Sequence, residues 1–226
     1  MSRQRFFVTG TDTDVGKTLC TAALLHLAGK ASKKSLGLKP LAAGCEATEQ
    51  GLRNSDALLL MEHSTEKLLY DQVNPVSLQE AIAPHIAATR LNRPLSAARI
   101  LGYLRGVLMI NRADFICIEG AGGWRLPLNP RETLADVAIE IKVPVILVVG
   151  MKLGCINHAL LTVEAIQRDG LKVAGWVANQ IDPNMEAYQE NVDTLKALIR
   201  APCLGEVPFM TEPSVEAVAE YMTLPE

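Results

Sequence analysis

The chain has 226 residues, 49% hydrophobic and 21% charged, close to an ordinary globular protein and long enough to bury a large core. A net charge of −3 and a pI near 5.9 leave no electrostatic reason to bind nucleic acid or an anionic membrane, so any phosphate site must be a local concentration of positive groups. Five scattered cysteines, odd in number and without a CxxC pair, argue against a disulfide framework or a cysteine zinc site; they read as small core residues of a reduced, cytoplasmic protein.

Residues 6–9 are a short apolar run of strand type ending at Gly10, and 16–28 carry Leu19, Ala23 and Leu27 on one helical face. A second strand is expected at 35–39, stopped by Pro40. A short helix follows at 56–62, with Asn54 or Ser55 as its cap. Residues 71–95 contain Pro75, Pro84 and Pro94, and a loop with little secondary structure is expected there.

Ile100, Leu101, Leu104 and Leu108 mark an amphipathic helix. The runs 115–118 and 145–149 read as buried strands ending at Glu119 and Gly150. Leu134, Val137, Ala138 and Ile141 form a helix face between them, and Ile156, Leu160 and Val163 form another afterwards. A strand at 173–178 ends at Asn179, Tyr188 to Ile199 have helical spacing, and Cys203, Leu204 and Val207 suggest a last short strand. The longest apolar run, 143–150, is too short to cross a bilayer, and no signal-type leader is expected.

Continuous apolar strands alternating with helices mean a parallel sheet covered on both faces, here one α/β domain over 1–226. Ligands of such sheets sit at the carboxyl ends of the strands. Gly10, Lys39, Glu119, Gly150 and Asn179 all fall at or next to such ends.

The stretch Gly10-Thr11-Asp12-Thr13-Asp14-Val15-Gly16-Lys17-Thr18 follows a strand and opens a helix, the context a phosphate loop needs. Its backbone N–H groups and the helix terminus would hold phosphate, Lys17 would reach the β and γ phosphates, and the Thr18 hydroxyl would ligate Mg²⁺. The common motif has four residues between the first Gly and Gly-Lys; this chain has five. Glu119 ends an apolar strand before Gly120, Ala121, Gly122 and Gly123 and reads as a Mg²⁺ partner. Asp56 reads either as a first-turn helix residue or as a second such carboxylate. Lys39 taken alone fits an ordinary exposed lysine, and His85 fits a structural or exposed position.

The segments GTDTDVGKT (10–18), GLKP (37–40), EQGLRNSDAL (49–58), VNP (73–75), PH (84–85), EGAGGW (119–124), PVILVVGMKLGCINHALLT (144–162) and GWVAN (175–179) run through nearly the whole chain. Together they resemble the dethiobiotin synthetase family. The resemblance implies a P-loop NTPase-like fold with about seven parallel strands flanked by helices on both faces, and a homodimer. It implies an ATP-dependent cyclo-ligase of biotin biosynthesis, which acts on 7,8-diaminononanoate and CO2 with MgATP to give dethiobiotin, ADP and phosphate. By the same resemblance Thr13, Lys17 and Lys39 are catalytic, and Thr18, Asp56 and Glu119 hold Mg²⁺. Nucleotide contacts would come from Asp14, Val15, Gly16, Leu19, Gly120, Ala121, Gly122, Asn179, Gln180, Pro208, Phe209 and Met210. The substrate carboxylate would meet the helix start at Leu153, Gly154, Cys155, Ile156 and Asn157 of the other subunit.

The chain departs from the family at Ala43, where a substrate-binding Ser is usual. The family's glutamate near the adenine pocket has two competing matches here, Glu212 and Glu216. A ligase of the same fold acting on another diamine or amino acid, or a ParA-like ATP-switched dimer, are the alternatives. The latter expects a basic surface or an amphipathic tail, and the terminal residues are acidic and short.

Overall fold

The computed structural model describes residues 3–226. Its strands and helices, in chain order, begin with β1 (Gln4–Gly10), α1 (Lys17–Lys30), β2 (Ser35–Leu38), β3 (Leu41–Ala42), β4 (Glu46–Thr48), β5 (Gly51–Arg53) and α2 (Ser55–His63). Then come α3 (Tyr70–Val73), β6 (Val76–Ser77), α4 (Pro84–Arg90), α5 (Ala97–Ile110), β7 (Phe115–Gly123) and α6 (Leu134–Ile141). The last third holds β8 (Val145–Met151), α7 (Cys155–Arg168), β9 (Val173–Gln180), α8 (Tyr188–Leu198), β10 (Cys203–Val207) and α9 (Val215–Ala219).

The main sheet has six strands in the order β10-β9-β8-β1-β7-β2, and every pairing in it is parallel. Both pleat faces are buried, which is why the strands read as continuous apolar runs. On β1, Phe6 and Val8 join the cluster beneath α1 and α9, while Phe7 joins the opposite cluster with α5 and α6. On β8, Ile146 and Val148 face the α1 side, and Leu147 and Val149 face α7 and α8.

β1 lies between β7 and β8, so the chain crosses one way to β2 and the other way to β9 and β10. That reversal opens a crevice at the carboxyl end of β1, where ligands of open α/β sheets bind. No helix among the described residues is long and apolar enough to cross a membrane.

The six strands of the main sheet approximately fit the seven or so implied by the resemblance, and β3 pairs with β6 in a separate two-stranded ladder. The chain turns there because Pro40 has no N–H to give a ladder, while Lys39 N–H donates to Val73 O at 3.0 Å. The expected loop at 71–95 contains ordered elements: part of α3, β6 and α4. Pro84 starts α4 rather than breaking it, since a first-turn N–H has no helical partner to lose. β7 runs four residues beyond Glu119, with a register shift between Val8 and Gly10 on its neighbour. The small residues at 120–123 let it continue beside the phosphate loop, where a Cβ on Gly123 would lie 3.6 Å from Gly10 O.

Candidate active site

Between β1 and α1 the loop 11–16 takes two left-handed conformations, at Asp14 (φ 55°) and Gly16 (φ 85°). A Cβ on Gly16 would lie 2.2 Å from Asn179 Nδ2, and that same nitrogen donates to Val15 O at 2.9 Å. Glycine is therefore needed here for its backbone angle and for the close approach of β9. α1 opens without a side-chain cap or an acidic residue in its first turn, which leaves its N–H groups and positive end for an anion. Lys17 Nζ donates to Asp12 O at 2.9 Å, folding the ammonium back over the loop. Burial pushes Lys17 below the usual lysine range, and the nearby Lys39 charge adds to this.

Lys39 follows β2 and is 4% exposed. Its Nζ lies 2.5 Å from Glu119 Oε1 and 2.9 Å from Asp56 Oδ2, and it donates to Gly120 O at 3.3 Å. Burial alone would lower this ammonium's pKa, but the Glu119 and Asp56 carboxylates outweigh it and hold Lys39 above the usual lysine range. Thr18 Oγ1 donates to the same Glu119 oxygen at 2.8 Å.

Glu119 is fully buried, and its Oε2 has no hydrogen-bond partner. An orphaned carboxylate oxygen in such a place is costly unless a cation reaches it. Thr18, Asp56 and Glu119 supply hard oxygen donors at a phosphate loop, which is the donor chemistry of Mg²⁺. The residues present fit that ion.

A layer of polar groups behind this cluster escaped the sequence reading. Asn54 caps α2 by accepting from Ala57 N–H at 3.2 Å, which settles the choice between Asn54 and Ser55. Its own N–H donates to Tyr70 Oη at 2.7 Å, Tyr70 Oη donates to Asn74 Oδ1 at 2.9 Å, and Asn74 Nδ2 donates to Lys39 O at 2.6 Å. The chain of bonds ties the helix carrying Asp56 to the backbone of Lys39. Asn54 in NSD and Asn74 in VNP were its only sequence signals. Ala43 sits at the edge, its carbonyl accepting from Asn54 Nδ2 at 3.4 Å.

The remaining residues form two outlying groups. Gln180 Oε1 accepts from Phe209 N–H at 3.3 Å, linking the end of β9 to the segment 208–210. Thr13 is exposed beside the glycine run, where a Cβ on Gly122 would lie 3.7 Å from its Oγ1. The partly buried Leu19 side chain packs against the core beneath α1.

At the start of α7, Leu153 is 92% exposed and Gly154 faces open space. Cys155 is buried there, and its N–H donates to Lys152 O at 3.0 Å. The free first-turn donors are thus the N–H groups of Ile156 and Asn157. Glu216, one of two candidates for the adenine pocket, lies 4.0 Å from His26. His26 is nine residues along α1 from Lys17, roughly 13 Å in helical rise. All five cysteines are free, four buried and Cys203 partly so. Burial pushes the Cys20 thiol up to about 12, with Glu119 adding to it.

A glycine-bearing loop between a central parallel strand and a helix, with Lys17 folded over it and Lys39 held in a neighbouring cluster of Thr18, Asp56 and Glu119 oxygens, defines a phosphate-loop nucleotide-binding protein. Residues 4–217 match the AAA domain family. A Cellvibrio japonicus ATP-dependent dethiobiotin synthetase BioD is 57% identical, over 99% of this chain and 97% of its own length. The Pseudomonas aeruginosa protein of the same name is 53% identical over 97% and 96% of the two chains, and that of Chromohalobacter salexigens 47% over 97% and 98%.

The chain belongs to the ATP-dependent dethiobiotin synthetase family. Two solved structures share its fold. The signal recognition particle receptor FtsY from Elizabethkingia anophelis in complex with GDP matches with TM-score 0.55 and 14% identity over all of this chain and 61% of its own. The septum site-determining protein MinD from Pyrococcus horikoshii complexed with Mg-ADP matches with TM-score 0.52 and 18% identity over 97% and 93%.

Proposed function

We propose that this chain closes the ureido ring of dethiobiotin from 7,8-diaminononanoate, CO2 and ATP. The observation that carries the reading is the convergence of Lys17, Thr18, Lys39, Asp56 and Glu119 on one crevice. It occurs in a chain 57% identical, almost end to end, to a dethiobiotin synthetase. A carbamate formed on one substrate amine is a poor electrophile; accepting the terminal phosphoryl group of ATP turns its oxygen into a leaving group for the second amine. Such chemistry asks a protein mainly to position anions and offset their charge.

The loop N–H groups and the start of α1 cradle the polyphosphate, and Lys17 swings from Asp12 O to the terminal phosphates. Thr18, Asp56 and Glu119 would hold Mg²⁺, which would supply charge neutralisation at the phosphates. Lys39 acts as a fixed cation rather than a proton acceptor, because its two carboxylates keep it protonated. It holds the carbamate in line with the phosphoryl group, while Thr13 reaches the same oxygens from the loop.

Asn179 has spent one N–H on Val15 O, and it offers the other N–H and its Oδ1 to adenine alongside the 208–210 backbone. The active unit is a homodimer. Leu153 and Gly154 project from one subunit, and the first-turn N–H groups of Ile156 and Asn157 receive the distal carboxylate of substrate bound to the other.

The test is turnover of purified protein with 7,8-diaminononanoate, bicarbonate and MgATP, with dethiobiotin and ADP followed by mass spectrometry. The expected result is equal amounts of the two products. ADP without dethiobiotin would move the search to another acceptor.

A further inference from the structure

Behind the sheet, at the end of α1 remote from the phosphate loop, three helices bring His26, His63 and Glu216 together. One ligand atom from each lies within 4.8 Å of the other two. His26 Nδ1 is 4.0 Å from Glu216 Oε1, beyond hydrogen-bond reach. The two imidazoles meet edge to face, with ring centroids 6.1 Å apart. The other ring nitrogen of His26, Nε2, is buried without a partner. The half-buried His26 thus has one ring nitrogen buried without a partner and the other 4.0 Å from a carboxylate, next to a second imidazole.

Two borderline imidazoles with one carboxylate make a donor set suited to Zn²⁺ rather than Mg²⁺. We infer that His26, His63 and Glu216 form a binding site for Zn²⁺ or a similar divalent transition metal, with solvent completing a tetrahedral shell. Bonds of about 2.0–2.1 Å would set the donor atoms roughly 3.4 Å apart. The present spacing closes to that by side-chain rotation at His63 and at Glu216, whose side chain is 60% exposed.

The site is chemically and spatially separate from the oxygen cluster of Thr18, Asp56 and Glu119. Its ligands nonetheless lie on helices that carry or adjoin that cluster. α1 starts at Lys17, α2 bears Asp56 in its first turn, and α9 follows the 208–214 segment. A metal here ties the three helices together and pins the C-terminal segment to α1.

The test uses tag-free full-length protein stripped with a chelator and titrated with Zn²⁺ in excess Mg²⁺, with Co²⁺ as a spectroscopic stand-in. Expected are one zinc per chain, tetrahedral Co²⁺ absorption bands and a rise in melting temperature on adding zinc. His63→Gln, at the accessible end of α2, should weaken zinc binding by at least about tenfold and abolish the bands and the thermal shift. It should leave metal-free melting and MgATP binding unchanged, and His26→Gln should repeat the loss. No stoichiometric zinc on the wild-type chain, or His63→Gln binding zinc as tightly as wild type, overturns the site.

Discussion

Lys39 Nζ lies 2.5 Å from one oxygen of Glu119, and the other oxygen of that carboxylate is buried with no partner. The pair is locally charge-balanced yet leaves one carboxylate oxygen unsatisfied, where a cation would be welcome. Removing only the lysine strands a buried carboxylate, which costs about 3–5 kcal/mol. Lys39→Met should therefore lower the urea midpoint strongly and reduce turnover by about 100-fold or more. The double change Lys39→Met with Glu119→Gln should recover most of the stability and none of the turnover. Additive losses in that cycle would refute the coupling between the two residues.

Lys17 behaves in the opposite way. Its charge is disfavoured by burial and by Lys39, and its one hydrogen bond goes to the Asp12 carbonyl. Lys17→Ala should keep the fold, with a stability change of no more than about 1–2 kcal/mol, while turnover disappears. Thermal melting beside a product assay checks both halves, and normal turnover would remove Lys17 from the phosphate site.

Gly16 is held at φ 85° against Asn179 Nδ2. Gly16→Ala meets backbone strain of about 1 kcal/mol or more and a steric clash with the Asn179 amide. It should abolish ATP binding measured by calorimetry. Adding Asn179→Ala should restore part of the melting temperature by removing the clash, because the damage arises from that contact. If the second change lowers the melting temperature further, the clash is not its source.

The phosphate loop, the five longer strands and the main helices could be read from the sequence because each rests on a local pattern: a glycine spacing, an apolar run or a helical period. Glu119 and Asp56 were visible as carboxylates at a strand end and a helix start. Their shared grip on Lys39 was not, because it joins residues 80 and 17 positions away from it. The order in 71–95 was hidden for the same reason. Tyr70 and Asn74 gain their roles from hydrogen bonds to Asn54 and Lys39, and Pro84 looks alike as a helix starter and as a breaker. The histidine–glutamate cluster left no sequence signal, since its members are 37 and 153 residues apart.

Alkaline stability should report on Lys39. Its folded pKa stands above the ordinary 10.5, so its stabilising contribution is complete below that value and is lost as pH rises through the higher folded value. Buried thiols and Tyr188, raised to about 12, also make the fold weaker in alkali, as their unfolded forms ionise first. The Lys39 share is therefore the difference between wild type and the Lys39→Met, Glu119→Gln double variant. Urea midpoints from about pH 9 to about pH 12 should fall more steeply for the wild type. Parallel curves would show that the lysine's charge does not stabilise the fold.

At Ala43 the family resemblance implies a substrate-binding Ser; here its carbonyl accepts from Asn54 Nδ2, the residue that caps the helix of Asp56. The position therefore sits beside the crevice, with no hydroxyl to offer the diamine. One neutral hydrogen bond is worth about 0.5–1.5 kcal/mol, so Ala43→Ser should lower KM for 7,8-diaminononanoate by roughly 2- to 10-fold. It should leave kcat and the KM for ATP nearly unchanged, because binding shared by ground state and transition state alters KM alone. Steady-state kinetics with each substrate varied in turn separates the outcomes. An unchanged diamine KM would mean that residue 43 does not touch the substrate in this chain. A raised KM would mean that the pocket is shaped around alanine, and testing shorter and longer diamino acids would then reveal what it prefers.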